Sequence, residues 1–93
     1  LHGQPQALAS LLEGLAWLAA RLQRDTDAAQ LLGAAAARRR RCGTPREAVD
    51  ERNAGLARAL AEPRLGSAWA AWCDAGARLD HAAAVALARA CVA

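Results

Sequence analysis

The sequence predicts an all-α protein of about five helices, and three observations predict it. Of 93 residues, 28 are alanine and 14 are leucine, both strong helix formers. The β-branched residues that favour strands are nearly absent, with three Val, two Thr and no Ile. Apolar residues recur at i, i+3, i+4 and i+7 over long stretches, the period of an amphipathic helix. A chain of this length allows one helical domain with a modest core.

The first helix is expected from Pro5 to Leu22, with Pro5 at the position where a missing N–H costs nothing. Leu8, Leu11, Leu12, Leu15, Leu18, Ala19 and Leu22 form its inner stripe. Ser10, Glu13 and Arg21 fall opposite, with Trp17 between Glu13 and Arg21 at i±4. Asp25 or Thr26 caps a second helix, about Asp27 to Arg41, whose inner face is Ala28, Leu31, Leu32 and Ala35. Gly33 and the alanines allow close backbone approach there. Arg38 to Arg41 followed by Cys42-Gly43 is a stop signal. Thr44-Pro45-Arg46-Glu47 reads as a capping box opening a third helix, which carries Val49, Leu56 and Leu60 to about Ala61 before Pro63 closes it. A fourth, about Arg64 to Ala75, places Leu65, Trp69, Trp72 and Cys73 on one face, with Gly76 as its C-cap. Asp80 caps a fifth, about His81 to Cys91, whose only charged side chain is Arg89. So apolar a helix is either buried or continues into something else.

Within this order, Leu12, Leu15, Ala16, Ala19, Ala28, Leu32 and Ala35 fall where the tetratricopeptide unit, a helix-turn-helix repeat of about 34 residues, puts its packing residues. That spacing makes residues 1–43 a tetratricopeptide-like antiparallel hairpin, a fragment of an α-solenoid, and 44–93 a set of capping helices. Such a unit cannot bury its apolar face alone and implies neighbours.

Catalytic motifs are missing. There is no GxxxxGK[ST], GxGxxG, HExxH or CxxC, so neither a phosphate loop nor a metal site nor a cofactor is expected. Cys73, Asp74 and His81 do not make a catalytic set, because the thiol falls on an apolar face. His2 and His81 stand at no ligand spacing from Cys42, Cys73 or Cys91. Three unpaired thiols point to a reducing cytoplasm. No uncharged apolar run approaches about 20 residues, so no membrane span is expected. The chain opens without Met or a basic leader and reads as part of a longer protein or as one with its start removed. The net charge of +3 is carried by Arg alone, which reads as composition bias. Four consecutive Arg project about 100° apart, and Glu47, Asp50, Glu51 and Glu62 follow nearby. A solvated helix end or an acidic protein partner is therefore favoured over direct nucleic-acid contact, which also lacks interleaved aromatics. Trp17 has three readings: packing on a preceding repeat, cover from the fifth helix or the N-terminus, or a binding surface. The candidate partner contacts are Trp17, Glu13, Arg21, Arg38 and Arg41. Trp69 and Trp72 are expected in the core.

AAQLLGAAAARRR, TPREAVDERNAGLARAL and LGSAWAAWCDAGARLDHAAAVALA, taken together, resemble the C-terminal helical region of large bacterial LuxR-type and related signal-transduction ATPase regulators. The resemblance covers about Leu12 to Ala88, best at Leu31 to Ala35 and Ala84 to Ala88. It departs at Trp72, which stands four residues before Gly76 where the family has three. The resemblance implies a tetratricopeptide-like array downstream of an ATPase and none of the family's catalytic motifs. The expected function is a non-enzymatic protein-interaction or regulatory segment of a multidomain transcription regulator. The alternatives are a small basic helical nucleic-acid-binding protein and a self-associating bundle, such as a homodimer.

Overall fold

The computed structural model describes residues 5–92. Five α-helices follow one another: α1 (Pro5–Arg21), α2 (Asp25–Cys42), α3 (Ala48–Leu65), α4 (Trp69–Ala77) and α5 (His81–Val92). A single 3-10 turn, Gly66–Ala68, joins α3 to α4. There is no strand among the described residues, and the all-α expectation holds. His2 lies outside them.

Helix α2 is the hub, packing against every other helix. α1 doubles back on it through the three-residue turn 22–24, in which Gln23 takes a left-handed φ of 62°. α3 lies against both α1 and α2, while α4 packs on α2 and barely touches α3. α5 rests on α1 and α2. Its Ala84, Ala88 and Cys91 are buried and its other face is open.

The buried face of α1 keeps only Leu12 and Ala19 of the expected stripe. It is Ala9, Leu12, Glu13, Ala16, Ala19 and Ala20, while Leu11 and Leu22 are 53% and 56% exposed. The face is rotated by about one residue, roughly 100°. Small side chains win the inner position because they let α1 approach α2 and α3 closely, and the leucines are left to the flanks.

The helix ends divide into two groups. Gly43 takes φ 66° and donates its N–H to the Arg39 carbonyl, so the left-handed stop of α2 is as expected. Asp80 Oδ1 accepts the Ala83 N–H at 2.8 Å and caps α5, again as expected. The other ends differ. α2 starts at Asp25 behind an Arg24 cap with no side-chain hydrogen bond. Asp25 instead accepts two bonds from Arg64, both 2.8 Å. α3 starts at Ala48, not at the Thr44 box, and Thr44 Oγ1 has no hydrogen-bond partner. Arg39 Nη1 donates to the Pro45 carbonyl at 2.8 Å and Arg46 reaches Glu13, so this segment is drawn towards α1 and α2 and does not coil. Pro63 does not end α3 either; the helix runs on to Leu65 and stops where Gly66 turns to φ 58°.

Gly76 is not a cap. It sits inside α4, facing α2, and a Cβ built there would collide with the Gln30 carbonyl. A Cβ on Gly33 would likewise collide with the Cys73 carbonyl. The two helices thus meet backbone to backbone across a reciprocal pair of glycines. Because only backbone stands in the way, no side chain can swing aside. Gly33→Ala is expected to destabilise the protein by about 3 kcal/mol, the upper part of the usual overpacking range. A urea midpoint equal to wild type would contradict this crossing.

Candidate functional site

Glu13 is the largest departure from the expected site. It has no exposure at all and meets Arg39 of α2, itself only 7% exposed. Arg39 Nη2 donates to Glu13 Oε1 at 2.8 Å and Nε to Oε2 at 3.1 Å, a two-pronged pair. Nη2 also reaches Asp50 Oδ2 of α3 at 3.1 Å. Ser10 donates to the same Asp50 oxygen at 2.7 Å. Arg46 completes the set, with Nε on Glu13 Oε2 at 2.7 Å and Nη1 on Glu51 at 3.2 Å. Glu13 and Asp50 are thus balanced by Arg39, buried where three helices meet, and by Arg46 at the partly exposed edge. Its hydrogen bond to Glu13 holds the Arg39 guanidinium protonated more firmly than usual, against the opposing effect of burial. Glu13 therefore meets its own chain and is withdrawn from any partner surface. The clue in the sequence was its position on the alanine face, at i−4, i+3 and i+7 from Ala9, Ala16 and Ala20.

The remaining expected contacts separate. Trp17 is half-buried and packs on the core of its own chain. The Arg21 guanidinium lies 5.5 Å from its ring centroid, a cation–π distance. Arg38 donates to His81 Nδ1 at 3.2 Å and ties α2 to the start of α5. Arg40 and Arg41 are exposed. Trp69 is buried as expected, but Trp72 is 38% exposed. Among the described residues, no group of three or more His, Cys, Asp or Glu could hold a metal ion. No described helix is long and apolar enough to cross a membrane.

An apolar groove was missed in the sequence, because it joins two helices distant along the chain. Leu8, Leu11 and Leu15 of α1 face Val85, Ala88 and Arg89 of α5 across a groove of about 300 Å³. Its walls are the leucines displaced from the inner face of α1. Arg24 holds the far end of α5 in place, donating to the Ala90 and Cys91 carbonyls at 3.4 Å each. Arg89 is the groove's only charge, and it has no acidic partner among the described residues.

No protein-family model, no curated protein and no solved structure matches this chain.

All three cysteines are free: Cys42 is exposed, Cys73 half-buried and Cys91 buried. Burial pushes the Cys73 and Cys91 thiols up, which lowers the thiolate fraction at any given pH and so the reactivity. At about pH 8, close to the ordinary thiol pKa of roughly 8.5, a disulfide reagent is expected to modify Cys42 at least about tenfold faster than the other two. Equal rates in the folded protein would contradict the placement of Cys73 and Cys91.

Proposed function

We propose that this chain is a non-enzymatic helical module that binds protein, working as a tetratricopeptide-like, α-solenoid segment of a multidomain bacterial transcription regulator in the cytoplasm. The observation that carries the binding half is the α1–α5 groove. Leu11 is more than half exposed at the edge of an otherwise apolar trough, and exposed apolar surface of this kind marks interaction sites. Its occupant is an amphipathic helix of a partner protein. Leucine-sized side chains at i, i+3 or i+4 and i+7 would fill the trough. A carboxylate on the flank of that ridge would meet the unpaired Arg89 and fix the register.

The regulator half is supported by the resemblance of the segments around Leu31 to Ala35 and Ala84 to Ala88. It is also supported by the placement of α1 and α3 side by side against α2, as successive first helices of a helical array are placed. In this reading the module joins neighbouring parts of a regulator, and helix docking on α1–α5 passes a partner's presence to them.

A designed amphipathic peptide with a leucine ridge and one flanking Glu tests the binding half by NMR titration. Saturable shifts confined to α1 and α5 are expected. Leu11→Arg, at an exposed position, should abolish them without unfolding. Arg89→Glu should weaken binding about tenfold, and a Lys-bearing peptide should restore it. Binding indifferent to both variants would reject the groove. For the regulator half, a phosphate-binding loop and further helical pairs are expected elsewhere in the parent reading frame, and a frame with neither contradicts it.

A further inference from the structure

A second concavity lies on the other side of α2. Because α4 is drawn onto α2 at Gly33 and Gly76, and α3 is held against α1, the helices α3 and α4 splay. They leave a cleft of about 290 Å³. Leu32 and Ala36 of α2 form its floor, Gly55 lines the α3 side, and Trp69 with Cys73 forms the α4 wall. Arg46, Glu51 and Arg58 supply its charged lining.

Gly55 is the informative residue. It lies in the middle of an 18-residue helix, where glycine costs roughly 0.5–1 kcal/mol against alanine. Its φ is not positive, so the backbone does not require glycine. A Cβ built there meets nothing within 4 Å, so packing does not require it either. What glycine supplies at this exposed position is room, on the α3 side of a cleft that Trp69 also lines.

The mouth is polar and holds both signs, since the Glu51 carboxylate lines it beside Arg46 and Arg58. Arg46 spends Nε on Glu13 and Nη1 on Glu51, which leaves Nη2 without an acceptor among the described residues. Arg58 spends Nε and Nη2 on Glu62, at 2.6 and 3.4 Å, and keeps Nη1 to donate. Cys73, its thiol pushed up by burial, stays neutral and does not repel an anion. An apolar slot with one aromatic wall and spare guanidinium N–H groups at its mouth matches a flat apolar body carrying an acceptor head, and guanidinium donors are strongest towards a carboxylate.

We propose that the α2–α3–α4 cleft binds a small aromatic carboxylic acid, its ring lying between Trp69 and the bare backbone of Gly55 and its carboxylate held by the free nitrogens of Arg58 and Arg46. This site is separate from the α1–α5 groove, and its test does not depend on the groove.

Phenylacetate is the probe, titrated against the folded protein by NMR, with the Trp69 indole and Gly55 amide as reporters. Saturable shifts confined to the cleft are expected, with a dissociation constant of about 1 mM or tighter. Gly55→Leu fills the slot at a position with open space, so it should keep or raise the melting temperature while abolishing binding. Arg58→Gln, at a surface position, should weaken binding about tenfold. Phenylacetamide, which has the ring without the charge, should bind at least about fivefold more weakly. The proposal is overturned by the absence of saturable shifts, by Gly55→Leu binding as wild type does, or by the amide binding as tightly as the acid.

Discussion

The two-pronged pair between Glu13 and Arg39, extended to Asp50 and Arg46, is the interaction on which the rest of this fold depends. Much of the core is alanine. α3 buries only Ala54, Ala57 and Ala61 besides Asp50, while Val49 is 61% exposed. Alanine faces let helices approach, but each contributes little more than a methyl group, about 0.8 kcal/mol. Smooth faces also leave neighbouring helices free to slide. Ionic contacts supply the register. Glu13, Arg39 and Asp50 join α1, α2 and α3 at one end. Arg64 joins α3 to Asp25 and to the Ala20 carbonyl at the other, at 2.7–2.8 Å. α3 is therefore clamped at both ends and lightly greased in between.

Burying three charges, Glu13, Arg39 and Asp50, costs several kcal/mol per ion before any attraction is counted, so this device is better at choosing one packing than at adding stability. The geometry explains why arginine is needed at position 39. Its guanidinium serves two carboxylates, the Pro45 carbonyl and the Ser10 hydroxyl at once, which a lysine ammonium with three donors cannot match in a planar fork. Composition bias explains why the chain has no lysine, but it does not explain where Arg39 points.

The same economy in side-chain size produces the two concave surfaces. With alanine turned inward on α1, the leucines at 8, 11 and 15 move to the flank and line the groove with α5. With glycine paired across α2 and α4, α4 is pulled away from α3 and the second cleft opens. Much of this was legible in the sequence: five helices, the left-handed Gly43, the Asp80 cap, the close approach at Gly33. The face of α1 was not, because hydrophobicity ranks leucine above alanine while the close packing here ranks size first. Glu13 looked like a solvent residue because its partners lie 26 and 33 positions away. The Thr44 box and Pro63 misled for one shared reason. Local capping and proline signals are worth about 1–3 kcal/mol, and the ionic clamps at either end of α3 outweigh them.

A double-mutant cycle on Glu13→Gln and Arg39→Met, followed by urea unfolding in a stabilising osmolyte, tests this dependence most directly. If the pair sets the junction, each single change leaves buried charge short of a partner and costs about 3–5 kcal/mol. The double change removes both charges of the pair, leaves Asp50 its Ser10 hydrogen bond, and costs less than the sum by about 2 kcal/mol or more. Costs that add to within about 0.5 kcal/mol would contradict the account and return the register of these helices to their apolar faces.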